Sequence, residues 1–154
     1  MSTAQMESKL LGHHPLVQSL LVDVLGDLTF SGHVFIRLYV LILERIVQRL
    51  FDAILRSNMN IKGAVLMDKD IRSLQRVMDD YLHTKAKRLY YEHHGKTRAC
   101  FEKLMECSIL VNGSTVEELK QLMEDPSYQW HLSVDEMKRI VRLRKDLVVG
   151  DVLK

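Results

Sequence analysis

Apolar positions recur at helical spacing along most of this chain. Leu16, Leu20, Val24 and Leu28 fall four residues apart. They predict a helix over 16–28, opened at Pro15 and weakened by Gly26. A longer helix is predicted from Ser31 to Arg56. Its polar stripe is Arg37, Glu44, Arg45, Gln48, Asp52 and Arg56, and the rest is mostly Val, Ile, Leu and Phe. So narrow a polar face implies a helix nearly surrounded by protein. Ser57 to Met67 reads as a connector broken by Asn58, Asn60 and Gly63, with Ile61, Val65, Leu66 and Met67 pinning it to the core. Asp68 reads as the N-cap of an amphipathic helix carrying Ile71, Leu74, Val77, Met78, Tyr81, Leu82, Ala86 and Leu89. That helix ends near Tyr91, or bends at Gly95 and continues through Phe101, Leu104 and Met105 to Leu110.

Punctuation is clearer towards the end. Asn112-Gly113 is a stop signal. Ser114 with Glu117, and Ser133 with Glu136, have the spacing of capping boxes. The first opens a short helix with Val116, Leu119, Leu122 and Met123, ended by Asp125-Pro126. The second opens a last helix through Met137, Ile140, Val141 and Leu143, ending near Gly150. No segment alternates as a strand does, and no internal repeat is visible. The expected class is all-α, with five to seven helices in a bundle or short right-angled array. The expected organisation is a flexible tail over 1–14, long helices over 15–57 packing on or leading into the domain, and a C-terminal helical domain over 58–154.

Composition narrows the function classes. The 154 residues hold 22 Lys plus Arg against 20 Asp plus Glu, a net charge of +2, with 2 Pro and 7 Gly. This is a foldable, helix-favouring mixture. Near-neutral charge argues against a dedicated nucleic-acid binder. Two cysteines cannot make a disulfide framework, which fits a reducing compartment. The first nine residues hold no apolar run, so no signal peptide is expected. Val34 to Leu43 is too short and too polar at its edges to span a bilayer. The expected location is therefore the cytosol, or the cytosolic face of a membrane.

Candidate chemistry is sparse. His13-His14 and His93-His94 are adjacent pairs, which point apart on a helix and do not share a metal. They read as solvated loop histidines. His33, His83 and His131 read as partly buried or at helix ends. Cys100 and Cys107, seven apart, read as small core residues too far apart for a disulfide. The acidic pairs Glu117-Glu118 and Asp135-Glu136 sit in first turns, where they offset the helix dipole. Gly95-Lys96-Thr97 lacks the upstream glycine and strand of a phosphate loop. Two basic stripes remain. One is Lys85, Lys87, Arg88, Lys96 and Arg98 beside Tyr90 and Tyr91; the other is Lys138, Arg139, Arg142, Arg144 and Lys145. Each reads first as a solvated helix face, and second as a surface for RNA or anionic lipid. No catalytic, cofactor or metal residues are expected.

Two blocks carry a resemblance. The first is Asn60, Gly63 and Asp68-Lys69-Asp70-Ile71-Arg72-Ser73-Leu74. The second is Trp130-His131-Leu132-Ser133, then Glu136-Met137-Lys138, Ile140-Val141, Leu143-Arg144 and Asp146-Leu147. Between them Phe101 and Leu104 fit an F-x-R-L step, with Lys103 in the place of Arg. In order and spacing these resemble the C-terminal end of subunit 4 of the conserved oligomeric Golgi complex, a vesicle-tethering assembly of the helical-rod class. The family subunit is several times longer, so this chain reads as its last domain or two, whether part of a longer subunit or a short stand-alone relative.

The resemblance implies a non-enzymatic helical domain acting in retrograde transport within the Golgi. It implies protein partners: other tether subunits, SNARE-class proteins or small GTPases, with no nucleic acid and only peripheral membrane contact. It makes Lys103 and Glu136 candidates to face each other, and Trp130 a staple onto the core. Arg72, Lys103, Glu136, Lys138, Arg142 and Arg144 are the expected exposed contact or positioning residues. The alternatives are a basic helical module for RNA or anionic lipid, and the corresponding domain of a sister tether such as exocyst.

Overall fold

The computed structural model describes residues 32–147, where six helices follow one another with no strand among them. They are α1 (Gly32–Leu55), α2 (Ile61–Lys85), α3 (Lys87–Ala99), α4 (Glu102–Val111), α5 (Val116–Glu124) and α6 (Val134–Val141). The all-α class is as expected, and α1 has the bounds its pattern predicts to within a residue. The tail over 1–14, the helix expected over 16–28 and the stop at Gly150 lie outside the described residues. Within them the chain divides into two units: 32–46 with 70–100, and 47–69 with 101–147.

In the first unit, Ile36, Tyr39 and Leu43 of α1 recur at three and four residues and are buried. So are Ile71, Leu74, Met78 and Leu82 of α2. Such stripes form because each helix must remove its apolar side from water. Tyr39 is fully buried, yet its hydroxyl donates to the Met78 carbonyl at 2.6 Å. Its ring stacks on Tyr81 at 6.3 Å and Phe35 at 6.4 Å. Burial, reinforced by the charge of Asp79, pushes its phenol far above the usual tyrosine range, so it stays a neutral donor. The other side of α1 is less covered than its composition implies: Val34 and Leu41 are exposed.

The helix expected to end near Tyr91 or bend at Gly95 breaks earlier, at Ala86, and Gly95 lies inside α3. Ala86 adopts φ −149°, ψ 64° while its N–H still reaches the Leu82 carbonyl and its carbonyl accepts from Tyr90. No Pro or Gly marks this joint. His83 packs edge-on against Tyr90 at 5.1 Å and Tyr91 at 5.8 Å, so ring packing holds the two helices across the break. His93 and His94 sit within α3, not in a loop, and His94 stacks on Tyr90.

The second unit corrects the expected start of α2. The helix opens at Ile61, seven residues before Asp68, because Asn60 caps it by accepting from the Gly63 N–H at 3.0 Å. Asp68 lies within α2 and instead accepts from the Ser108 hydroxyl of α4 at 2.5 Å. One turn on, the Asn112 amide donates to the Ala64 carbonyl at 3.2 Å and to Ser108's own carbonyl at 2.8 Å. Ala64 is fully buried, and its small side chain permits this approach. Phe101, Leu104, Cys107, Leu110 and Val111 of the α4 region share the core with Leu119 of α5 and Met137, Ile140 and Val141 of α6.

The first capping box is shifted by one residue. Thr115, not Ser114, is the N-cap and accepts from the Glu118 N–H, while the Ser114 N–H reaches the Glu118 carboxylate. Thr115 is extended, and adjacent hydroxyl residues each followed by a Glu leave that choice to packing. The second box is as expected, with Ser133 and Glu136 exchanging both bonds. Trp130 is not the staple. Leu132 stands directly before the cap and is buried, as is Met137 four helical positions in. Trp130 packs on Tyr128 at 4.4 Å, and its indole Nε1 is buried without a hydrogen-bond partner. Helix α6 stops at Val141, so Leu143 reaches the core from a turn.

Gly113 is required for space. A Cβ there would fall inside contact distance of the buried Leu119 side chain. Gly113→Ala is expected to destabilise the second unit by about 1–3 kcal/mol through overpacking, read as a lower urea midpoint with an unchanged slope.

Candidate functional site

Three charged clusters organise the second unit. Lys103 on α4 pairs with Glu136 of α6 at 3.3 Å, and its ammonium lies 5.4 Å from the Phe51 ring centre at the end of α1. Partial burial pushes the Glu136 carboxyl up. The hydrogen bonds with Ser133, together with Lys103, outweigh this and hold it below the usual carboxylate range. Lys103 and Glu136 do face each other, as the resemblance implies.

The second cluster was not foreseen. Glu106 is a buried carboxylate on α4, and it accepts from the backbone N–H of His131 at 2.9 Å and of Leu132 at 3.0 Å. The His131 ring completes it, with Nδ1 2.9 Å from Glu106 and Nε2 2.6 Å from Glu102. The hydrogen bond to Glu106 raises the imidazole above its usual range, aided by the charge of Glu102. Glu102 and Glu106 are four apart on one helix and repel unless a cation bridges them, which was a legible signal. The two ring nitrogens point to different carboxylates, so the three groups do not converge on an ion. No metal-binding group of three or more such residues occurs among the described residues.

The third cluster overturns an expectation. Arg144, expected on the surface, is 4% exposed. Its guanidinium forks onto Asp146 at 2.7 and 2.9 Å and donates to the Val111 carbonyl at 2.6 Å. It thereby closes the C-terminal end of α4, whose last carbonyls have no helical partner. Arg144 also holds the Asp146 carboxyl below its usual range. Beside it, the Met59 N–H donates to the Leu143 carbonyl and the Lys145 N–H to the Met59 carbonyl, both at 3.0 Å, in a parallel bridge. The L-R-x-D end of the resemblance is thus a packing motif.

Of the remaining expected residues, Lys138 is half-buried and Arg142 exposed, four apart at the end of α6. Arg72 is exposed on α2 in the first unit. The second unit therefore brings together only the Lys103–Glu136 pair. Cys107 is fully buried, which pushes its thiol up to about 12, as suits a core residue. Cys100 is partly exposed, its thiol turned to the Lys96 carbonyl.

Short helices held in register by charged side chains spanning their ends define a helical scaffold. The sequence pattern of one family, described as "Conserved oligomeric Golgi complex subunit 4, C-terminal", matches residues 19–139, well over half of the chain. The chain belongs to that family, which is one of subunits of a Golgi tethering complex. No curated protein and no solved structure matches it. No helix among the described residues is long and apolar enough to cross a membrane.

Arg144→Ala is expected to destabilise by about 1–3 kcal/mol, since it strands the buried Val111 carbonyl. Arg144→Lys recovers only part, because one ammonium cannot fork as a guanidinium does. Urea midpoints of the three proteins check this. The His131 cluster has a definite pH sign. Its folded pKa lies above the unfolded value, so its contribution is full below the usual histidine range and is lost as pH rises through the folded pKa. Wild type minus His131→Gln stability is therefore expected to shrink with rising pH across that window, measured by denaturation at several pH values.

Proposed function

We propose that this chain is a non-enzymatic part of a Golgi vesicle tether. It would act in retrograde transport within the Golgi, on the cytosolic face of its membranes. The family match over residues 19–139 is the observation that carries the reading. Its partners would be other tether subunits, with SNARE-class proteins or small GTPases as further ligands. The chain changes no covalent bond in this role. It offers a rigid helical surface.

The side chains divide by task. Lys103 and Glu136 set the orientation of α6 on α4, and Arg144 fixes the chain beyond α6. A half-exposed pair such as Lys103–Glu136 is worth only about 0–1 kcal/mol, so its value is geometric. Lys138 and Arg142 project from α6 as contact residues, and Arg72 does so from α2. Exposed charges of this kind govern partner choice and encounter more than stability.

The test is a pull-down from cytosol at low and moderate salt, read by mass spectrometry. Tether subunits or SNAREs are expected at both salts, and Lys138→Glu/Arg142→Glu is expected to lose them while remaining folded. Recovery of nucleic-acid proteins alone, lost as salt rises, would sink the reading.

A further inference from the structure

Helix α3 concentrates charge in a way the whole chain does not. Its 13 residues carry Lys87, Arg88, Lys96 and Arg98 against Glu92 alone. That is more positive than the entire chain at +2, so the rest of the sequence is net acidic. The buried side of α3 is marked by Thr97, with Tyr90, His93 and His94 half-buried near it. Lys87, Tyr91, Gly95 and Arg98 follow at intervals of four, four and three, which places them on one opposite face with Arg88 beside it. All five are exposed, Tyr91 to 60% and the Arg88 side chain to 90%. A Cβ at Gly95 would meet nothing within 4 Å, so the middle of this face is open.

The acidic neighbours do not cancel the patch. Arg88 pairs with Glu92 at 2.9 Å and Arg98 with Asp79 of α2 at 3.6 Å. Lys87 forms no ion pair among the described residues. The rings beside the patch decide what it suits. Single-stranded RNA needs ring faces free for bases to stack on. Here Tyr90 is stacked on His94 and meets the edges of His83 and Tyr91. Its ring is taken up by neighbours, and the outer face of α3 is one convex helix. A convex basic face with a projecting tyrosine matches a layer of anionic headgroups, where the ring's apolar body and polar tip both find partners.

We propose that the outward face of α3, built on Lys87, Arg88, Tyr91, Gly95 and Arg98, is a docking surface for anionic lipid headgroups. The inference deepens the peripheral placement proposed above and rests on it for which membrane is meant.

The test uses the full chain sedimented with phosphatidylcholine vesicles, with and without phosphatidylserine. Binding is expected only to the anionic vesicles, falling as salt rises. Lys87→Gln/Arg88→Gln is expected to weaken it on the order of fivefold for each charge lost. Gly95→Glu should weaken it too, in a position open enough to leave the helix intact, which circular dichroism checks. Lys138→Gln/Arg142→Gln removes the same charge from the second unit and should leave vesicle binding unchanged. Equal binding to neutral vesicles, or equal loss in that control, would overturn the proposal. So would tight binding of a homopolymer RNA without vesicle binding. The tether reading fails separately: pull-down of tether subunits by the Gly95→Glu protein should persist, and its absence in wild type would sink that reading alone.

Discussion

The Arg144 guanidinium is buried with its charge matched by Asp146 and its remaining reach directed at the end of α4. A charge in that position is tolerable only when its donors are occupied, because leaving it unpaired costs several kcal/mol. Its presence therefore dictates where Val111, Gly113 and the turn past α6 must lie. The Met59 bridge follows from the same placement, since Leu143 and Lys145 flank the arginine and present backbone groups to Met59. A single side chain thus couples the loop before α2, the end of α4 and the chain beyond α6.

The other polar contacts of the second unit repeat this economy. Glu106 collects two backbone N–H groups and an imidazole, ordering the approach to α6. Asp68–Ser108 and Asn112–Ala64 fasten α4 to the first turns of α2. Each is a helix carrying one polar group on its apolar side that a neighbouring element must answer. Such contacts fix register more than they add stability, because the apolar core supplies most of the free energy. The first unit adds Tyr39 to Met78 and Arg98 to Asp79, beside its apolar and ring packing.

Much of this was legible. A narrow polar stripe on an apolar run located α1, and Ser133 with Glu136 located α6. Lys103 facing Glu136 was implied by the family resemblance. The errors share a cause. Asp68 has the chemistry of a cap and so does Asn60, and only the packing of α2 against α4 shows that Asp68 is needed elsewhere. Ser114 and Thr115 compete in the same way. Arg144 looked like part of an exposed basic stripe because charge alone does not reveal that a helix end awaits it.

The amino-acid sequence by itself determined the all-α class, the long first helix, the final capping box and the family, because each rests on local periodicity or on residues at fixed offsets. Tertiary structure alone decided that α2 begins at Ile61 under an Asn60 cap, that the chain breaks at Ala86, that Glu106 binds His131, and that Arg144 is inside. These depend on which buried polar group meets which partner across distant segments. That pairing is set by desolvation in the assembled core, and no local pattern encodes it.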